Sequence, residues 1–256
     1  MHFQPRVNLS MLQTNIFRIP VLPFHMVNCF LVKGKAGCIL VDTGLPGSEH
    51  KINKVLRKHG LSFTDIKLIV ITHAHIDHAG SAARLRELSG APIVAHMGDL
   101  KHYLQEEPMT FCPTHWSARL FRSTGLPSRP YVAFHPDILL VDDEQLDLNR
   151  YGVDGIILTT IGHTAGSISV ILPSREALVG DLVASGVLIG GIARLKHATS
   201  PPFEDDPQAV SRELQRLIDS GVNQFHMGHG GPLDSEAVQQ HVVNLTHGGK
   251  PASKTA

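Results

Sequence analysis

The sequence predicts an α/β protein with two strand-rich halves, and three observations carry that prediction. Ile66-Lys67-Leu68-Ile69-Val70-Ile71 is an apolar, β-branched run that reads as a buried strand. Helix formers follow it from Ala79 to Ser89, with Leu85 and Leu88 at helical spacing. The theme returns in the second half, where 156–161, 167–172 and 177–179 are strand-like and Asp206-Pro207 opens a helix. Strands outnumber helices in each half, which suggests two sheets face to face with helices outside.

The elements follow in order. Residues before Leu9 are weakly patterned, whereas 15–20, 27–33 and 37–41 have strand composition. Gly34-Lys35 fits the turn of a hairpin between the last two. Ser48 is placed to cap a helix to about His59, with Ile52, Val55 and Leu56 on one face and Gly60 as its stop. A strand at 66–72, a turn and a helix at 79–89 come next, then a short strand at 92–95 and a short helix at 98–105.

From 107 to 137 the rhythm breaks. Pro108, Pro113, Pro127, Pro130 and Pro136 interrupt a segment holding Phe111, His115, Trp116, Phe121, Tyr131 and Phe134. The only regular structure expected there is a short helix around Trp116 to Phe121. Such an insertion is either a pocket wall or lid, or simply a cover for the core. Further on, Asp206 and Pro207 form an N-cap and N1 pair for a helix to Ser220, with Val210, Leu214, Leu217 and Ile218 inward. A strand at 224–227, a helix capped by Ser235 and a tail at 251–256 complete a single expected domain, 1–256.

The chemistry is concentrated after the central strand. Thr72-His73-Ala74-His75-Ile76-Asp77-His78-Ala79-Gly80 puts three imidazoles and a carboxylate within six residues. In an extended segment His73 and His75 project to the same side. Neutral imidazole and carboxylate suit zinc or a similar first-row ion. Without partners, so many polar groups beside a buried strand would cost roughly several kcal/mol. A His-rich surface turn is the plain alternative for this cluster alone. Gly162-His163-Thr164, Gly180-Asp181 and Gly228-His229-Gly230 each follow a strand, and each sets a glycine beside a potential ligand.

Together with Leu40-Val41-Asp42-Thr43-Gly44, these motifs resemble the metallo-β-lactamase-fold hydrolase superfamily, from about residue 28 to 233. The resemblance implies an αββα sandwich of two mixed β-sheets with helices on the outer faces. It implies two divalent metal ions, zinc first, with iron or manganese as alternatives. His73, His75 and His163 would hold one ion, Asp77, His78 and His229 the other, with Asp181 bridging. It implies a hydrolase whose metal-bridging hydroxide attacks an ester, lactone or thioester, with Asp77 orienting the nucleophile or shuttling its proton. Asp42 would lie beneath the site as support, and Thr72 and Thr164 are candidate partners for ligating imidazoles.

Several branches of the superfamily differ in their motifs. Zinc β-lactamases usually carry Cys or Ser where this chain has Asp181, and flavodiiron proteins carry Glu in place of His75. Glyoxalase II enzymes add a helical C-terminal domain, for which the 27 residues after His229 are too few. Quorum-quenching lactonases share the seven ligands, but many have Tyr where this chain has Ala184. A non-hydrolytic iron-dependent redox enzyme or a ligand-sensing protein on the same fold is the alternative expectation.

Composition bounds the partners. Lys plus Arg and Asp plus Glu number 23 each, so no general attraction to nucleic acid or an anionic membrane is expected. No run reaches eighteen apolar residues. The expected partner is a small-molecule substrate with an apolar portion, packed against Phe111, His115, Trp116 and Phe121. His25, His135 and His197 are further histidines expected to border the site. Cys29, Cys38 and Cys112 are odd in number and widely spaced, which is no disulfide framework. The first thirty residues lack a signal-peptide pattern, so a cytoplasmic location is expected. Oligomeric state is left open.

Overall fold

A computed structural model describes residues 14–187 and 193–248. The first sheet runs in chain order through β1 (Asn15–Pro20), β2 (Asn28–Lys33), β3 (Cys38–Val41), β4 (Ile66–Val70), β5 (Ile93–His96) and β6 (Ile138–Leu140). Its first three strands pair antiparallel, and β3 to β6 pair parallel. The second sheet contains β7 (Leu146–Asp147), β8 (Ile156–Thr159), β9 (Ile168–Ile171) and β10 (Glu176–Leu178). After a separate ribbon of β11 (Ala184–Ser185) and β12 (Ala198–Thr199), β13 (Gln224–His226) and β14 (Leu233–Asp234) extend that sheet beyond β10. Only β10 and β13 pair parallel there, so this sheet too is mixed.

The near-continuous apolar strands are explained by burial on both faces. Phe30, Val32, Ile39, Val41, Leu68 and Val70 face Ile157, Val170 and Leu178 between the sheets. The alternate residues Leu31, Leu40 and Ile69 face outward against Ile52 and Leu56 of α1 (Glu49–Lys58). Two short helices follow: α2 (Ile76–Ala79), then α3 (Ala82–Ser89), whose Ala82 and Leu85 join the same layer. The insertion is flanked by α4 (Leu100–Tyr103) and contains α5 (Trp116–Ser123). On the far side, α6 (Pro207–Asp219) and α7 (Ser235–Gly248) bury Val210, Leu214, Leu217, Val238 and Val242 against Ala177 and Phe225. Each such aliphatic side chain, fully buried, contributes about 1.5–3 kcal/mol of transfer free energy. The result is helix, sheet, sheet, helix.

Several local expectations change. Ser48 occupies the N-cap position of α1 but makes no capping bond with its side chain; its backbone N–H donates instead to Ser81 Oγ at 3.0 Å. The last helix is capped by Asp234, whose Oδ1 accepts from Ala237 N–H at 2.9 Å, and not by Ser235. Asp206 caps α6 as expected, accepting from Gln208 and Ala209 N–H at 3.0 and 2.9 Å. β6, β7 and the ribbon lack a sequence signal because each is two or three residues long and exists through its neighbour, as Val94 to Ile138 pairing makes β6. The weakly patterned start and the tail at 251–256 lie outside the described residues. Among the described residues, no helix is long and apolar enough to cross a membrane.

Candidate metal centre

Strand direction brings the ligands together. β8, β10 and β13 run the same way in the second sheet, and His163, Asp181 and His229 lie on the turns leaving their C-terminal ends. The turn leaving β4 supplies the other four, and Ile168 N–H to Thr72 O (3.0 Å) ties the two sheets at that end. His75 has an extended backbone, whereas Asp77 and His78 fall within α2.

Two ligand sets result, and within each the ligand atoms lie within 4.8 Å of one another: His73, His75, His163 and Asp181, and Asp77, His78 and His229. His73 Nε2, His75 Nδ1 and His163 Nε2 form a triangle with edges of 3.0, 3.1 and 3.1 Å. A tetrahedral zinc with its usual nitrogen distances has edges of about 3.3 Å, so this triangle fits one face of such a site. Asp181 reaches both sets. Its Oδ2 is 2.9 Å from His229 Nε2 and 3.8 Å from His163 Nε2, and its Oδ1 is 3.4 Å from His78 Nε2. Asp77 Oδ2 lies 3.4 Å from His229 Nε2 and 4.0 Å from His78 Nε2.

The surrounding bonds set the imidazole tautomers. Asp42 Oδ2 accepts from His78 Nδ1 at 2.8 Å and from Thr72 Oγ1 at 2.9 Å. A carboxylate only accepts, so His78 donates from Nδ1 and Nε2 is the nitrogen turned inward, where a cation would displace any proton it holds. Thr72 spends its hydroxyl proton on Asp42 and accepts from His73 Nδ1 at 3.0 Å, which frees His73 Nε2 in turn. His229 Nδ1 donates to Met26 O. Oxygen partners therefore orient three of the five imidazoles. Buried His78 Nε2 and Asp181 Oδ1 have no hydrogen-bond partner, as expected of groups that serve a cation. Gly228 must lack a side chain, because a Cβ there would stand 2.3 Å from His78 Cε1 and 2.4 Å from Asp181 Oδ1.

Electrostatics separate the two sets. Burial, then the neighbouring imidazoles, holds His73 and His163 well below the usual histidine range, and burial pushes His75 down to about 4. Those three imidazoles are neutral near pH 7, the form in which a metal would bind them. Burial also opposes a charged His78, but Asp181, Asp42 and Asp77 outweigh it and raise that imidazole well above its ordinary value. His229 is raised likewise, chiefly by Asp181 against burial. Despite its burial, Asp181 is held well below the carboxylate range by His229 and His78. These carboxylates call for positive charge, which a divalent cation supplies.

One buried acid at the centre has no signal in the sequence. Asp99 Oδ2 accepts from Ala74 N–H and Thr164 Oγ1, both at 2.9 Å, and Oδ1 accepts from Gly166 N–H at 2.9 Å. It joins the loop carrying His73 and His75 to the loop carrying His163. Thr164 therefore partners Asp99 and not an imidazole.

Above the centre lies a cavity of about 490 Å³. His75, Asp77, His163, Asp181 and His229 form its polar part, and Phe111, Phe121, Leu126 and Phe203 belong to its apolar walls. Phe111 stacks on His75 with ring centroids 5.1 Å apart. The insertion is thus a pocket wall, anchored to the second half by Thr114 N–H to Pro202 O and Glu204 N–H to Cys112 O, both 3.0 Å. Two expected pocket residues are elsewhere. Trp116 is 77% exposed and outside the cavity, because it begins α5 on the outer face. His115 is outside it too; its Nδ1 caps α5, accepting from Ala118 N–H at 3.2 Å. Phe203 had no signal, since it reaches the cavity only by tertiary contact. His25, His135 and His197 do not line the cavity either.

The pattern defining the metallo-beta-lactamase superfamily matches residues 22–230. The chain belongs to that superfamily. A "probable metallo-hydrolase" of Bacillus subtilis is 30% identical to this superfamily member over 179 residues, 69% of this chain and 73% of the relative. A metal-dependent hydrolase of Pyrococcus horikoshii is 42% identical over 208 residues, covering 70% and 84%. A hydroxyacylglutathione hydrolase of Methylobacillus flagellatus is 24% identical over 212 residues, and the match spans 65% of its length. Among solved structures, a metallo-beta-lactamase family protein from Thermus thermophilus superposes with a TM-score of 0.64 at 25% identity, covering 91% of this chain and 78% of that one. The αββα sandwich is therefore the superfamily's fold.

Proposed function

We propose that this metallo-beta-lactamase superfamily protein hydrolyses an ester-like bond (ester, lactone or thioester) in a small molecule with an apolar portion. The observation that carries this reading is the composition of the cavity. None of its described lining residues is Ser, Thr, Cys, Lys or Tyr, so no covalent nucleophile of those types faces the substrate space. The Asp and His residues of the lining are the candidate metal ligands, which leaves water as the nucleophile. His73, His75, His163, Asp77, His78, His229 and Asp181 would hold two divalent cations, zinc being the first choice. Bound there, such ions supply Lewis acidity and make water a nucleophile near neutral pH.

The chain's own residues do the rest. Asp77 is partly exposed to the cavity and adjoins His229, so it is suited to orient the water and take its proton. Asp181 holds charge between the two ligand sets. Phe111, Phe121 and Phe203 exclude water from the apolar part of the substrate. The hydroxyacylglutathione hydrolase among the relatives supports inclusion of thioesters. Balanced charge favours no nucleic-acid or membrane partner.

The test is metal content by elemental analysis followed by a panel of esters, lactones and thioesters. The expected result is up to about two ions per chain, with turnover on the panel. His75→Ala is expected to lower metal content and turnover together. A fully metal-loaded protein inert on all three bond types would overturn the reading.

A further inference from the structure

Among the described residues, one permanent cation lines the cavity wall. Arg129 is the only Lys or Arg among the described lining residues, set in the insertion beside Pro127 and Pro130. Its backbone N–H is held by Leu126 O at 3.3 Å. Its guanidinium makes no ion pair among the described residues. Arg122, by contrast, is committed to the fold, donating from Nη1 to Phe111 O at 3.1 Å. The two carboxylates of the cavity, Asp77 and Asp181, lie 3.4 and 2.9 Å from His229 Nε2 and belong to the metal centre. Arg129 also borders a side cavity of about 260 Å³, in which Glu107 is already paired with Lys101 at 2.6 Å. Arg129 is thus an exposed residue bordering both spaces, and among the described residues it is paired with neither Glu106 nor Glu107 of the side cavity.

We infer that Arg129 is a specificity-determining residue that binds a carboxylate carried by the substrate at the end remote from the scissile bond. The preferred substrates are then anionic: an apolar body, an ester-like bond at the metal centre and a carboxylate at Arg129. The physical reason is desolvation. An apolar body filling the cavity displaces water from the inner side of the guanidinium. A neutral end group leaves the inner N–H donors to compete for water at the exposed side, whereas a carboxylate can take two of them at once. This inference rests on the ester-hydrolase reading for its chemistry but not for its binding.

The experiment uses the zinc-loaded full chain with two probe sets. The first is a pair of esters of equal length ending in a carboxylate or a methyl group. The second is the matching dicarboxylic and monocarboxylic acids, measured by calorimetry. The terminal carboxylate is expected to raise kcat/KM, through KM, and to tighten acid binding by up to about 5-fold, the upper worth of an ion pair at an exposed guanidinium. Both ratios are expected to fall towards one in Arg129→Met. They are expected to persist in Arg119→Met, an exposed α5 position outside the cavity, which controls for long-range charge. Ratios near one in the wild type, or ratios retained in Arg129→Met, would overturn the assignment. If no ester is turned over while the binding ratio depends on Arg129, the ester-hydrolase reading falls and the anion site stands.

Discussion

Asp42 shows how much one side chain contributes beneath the ligands. It has φ of 61°, a left-handed conformation that an L-residue adopts at a cost, and it is buried. That conformation lets it hold His78 directly and His73 through Thr72, so one carboxylate orients a ligand of each metal set. Asp42→Asn is expected to weaken metal binding about 10- to 100-fold, because the amide can turn a donor towards His78 Nδ1 and spoil its tautomer. Chelator competition measures this; unchanged affinity would reduce Asp42 to a backbone support. Asp99 acts on loops instead. Asp99→Ala leaves Ala74 N–H without its acceptor, at about 1–3 kcal/mol, and Gly166 N–H with only the longer bond to Thr164 Oγ1, so a lower denaturation midpoint is expected along with partial metal loss.

At the scale of elements, the insertion and the segment before α6 form one wall. Phe111 and Phe121 point into the cavity from the insertion, whereas Trp116 does not. Phe111→Ala and Phe121→Ala are expected to raise KM for long-chain substrates about 10-fold, and Trp116→Ala to leave the chain-length profile as it is. A shifted profile in Trp116→Ala alone would mean that the outer face of α5 contacts substrate. Glu204 lies in the opposing segment, where burial pushes its carboxyl up to about 8 from an ordinary 4.5. The folded state therefore holds a proton that the unfolded state releases above about 4.5, and stability declines as pH rises from there to 8. Glu204→Gln is expected to flatten that decline, by an amount on the order of a few kcal/mol at most, as seen in denaturant midpoints at pH 5 and pH 8. Parallel slopes for the two proteins would show that Glu204 is not the group responsible.

For the whole molecule, the candidate metal centre joins the two sheets. Ligands from the turn after β4 meet ligands from β8, β10 and β13, so ions bound there cross-link the sandwich. A ligand that binds only the folded state at 100 times its Kd stabilises by about 2.7 kcal/mol. For a protein of this size that corresponds to about 5–10 °C in Tm, so chelation is expected to lower Tm by that amount and zinc to restore it. Identical melting with chelator and with zinc would mean that the cluster holds no ion in solution.

Reading the residues alone reaches the parts of this protein whose cause is local. The strands of both halves are legible because β-branched runs are buried on two faces, and α6 because Asp206 and Pro207 set its start within three residues. The candidate ligands after β4 are legible because their chemistry is unusual beside an apolar strand, whereas the roles of His163, Asp181 and His229 and the grouping into two sets came from resemblance. What the tertiary structure decided depends on residues far apart in the chain. Asp99 meets Thr164 across 65 positions, and Phe203 and Arg129 reach the cavity only because the insertion docks on the second half. No local pattern marks such residues, since an Asp, a Phe or an Arg in a loop has many possible neighbours. Trp116 shows the converse: an aromatic residue with the composition of a pocket wall turns outward, because its place on α5 and not its type sets its direction.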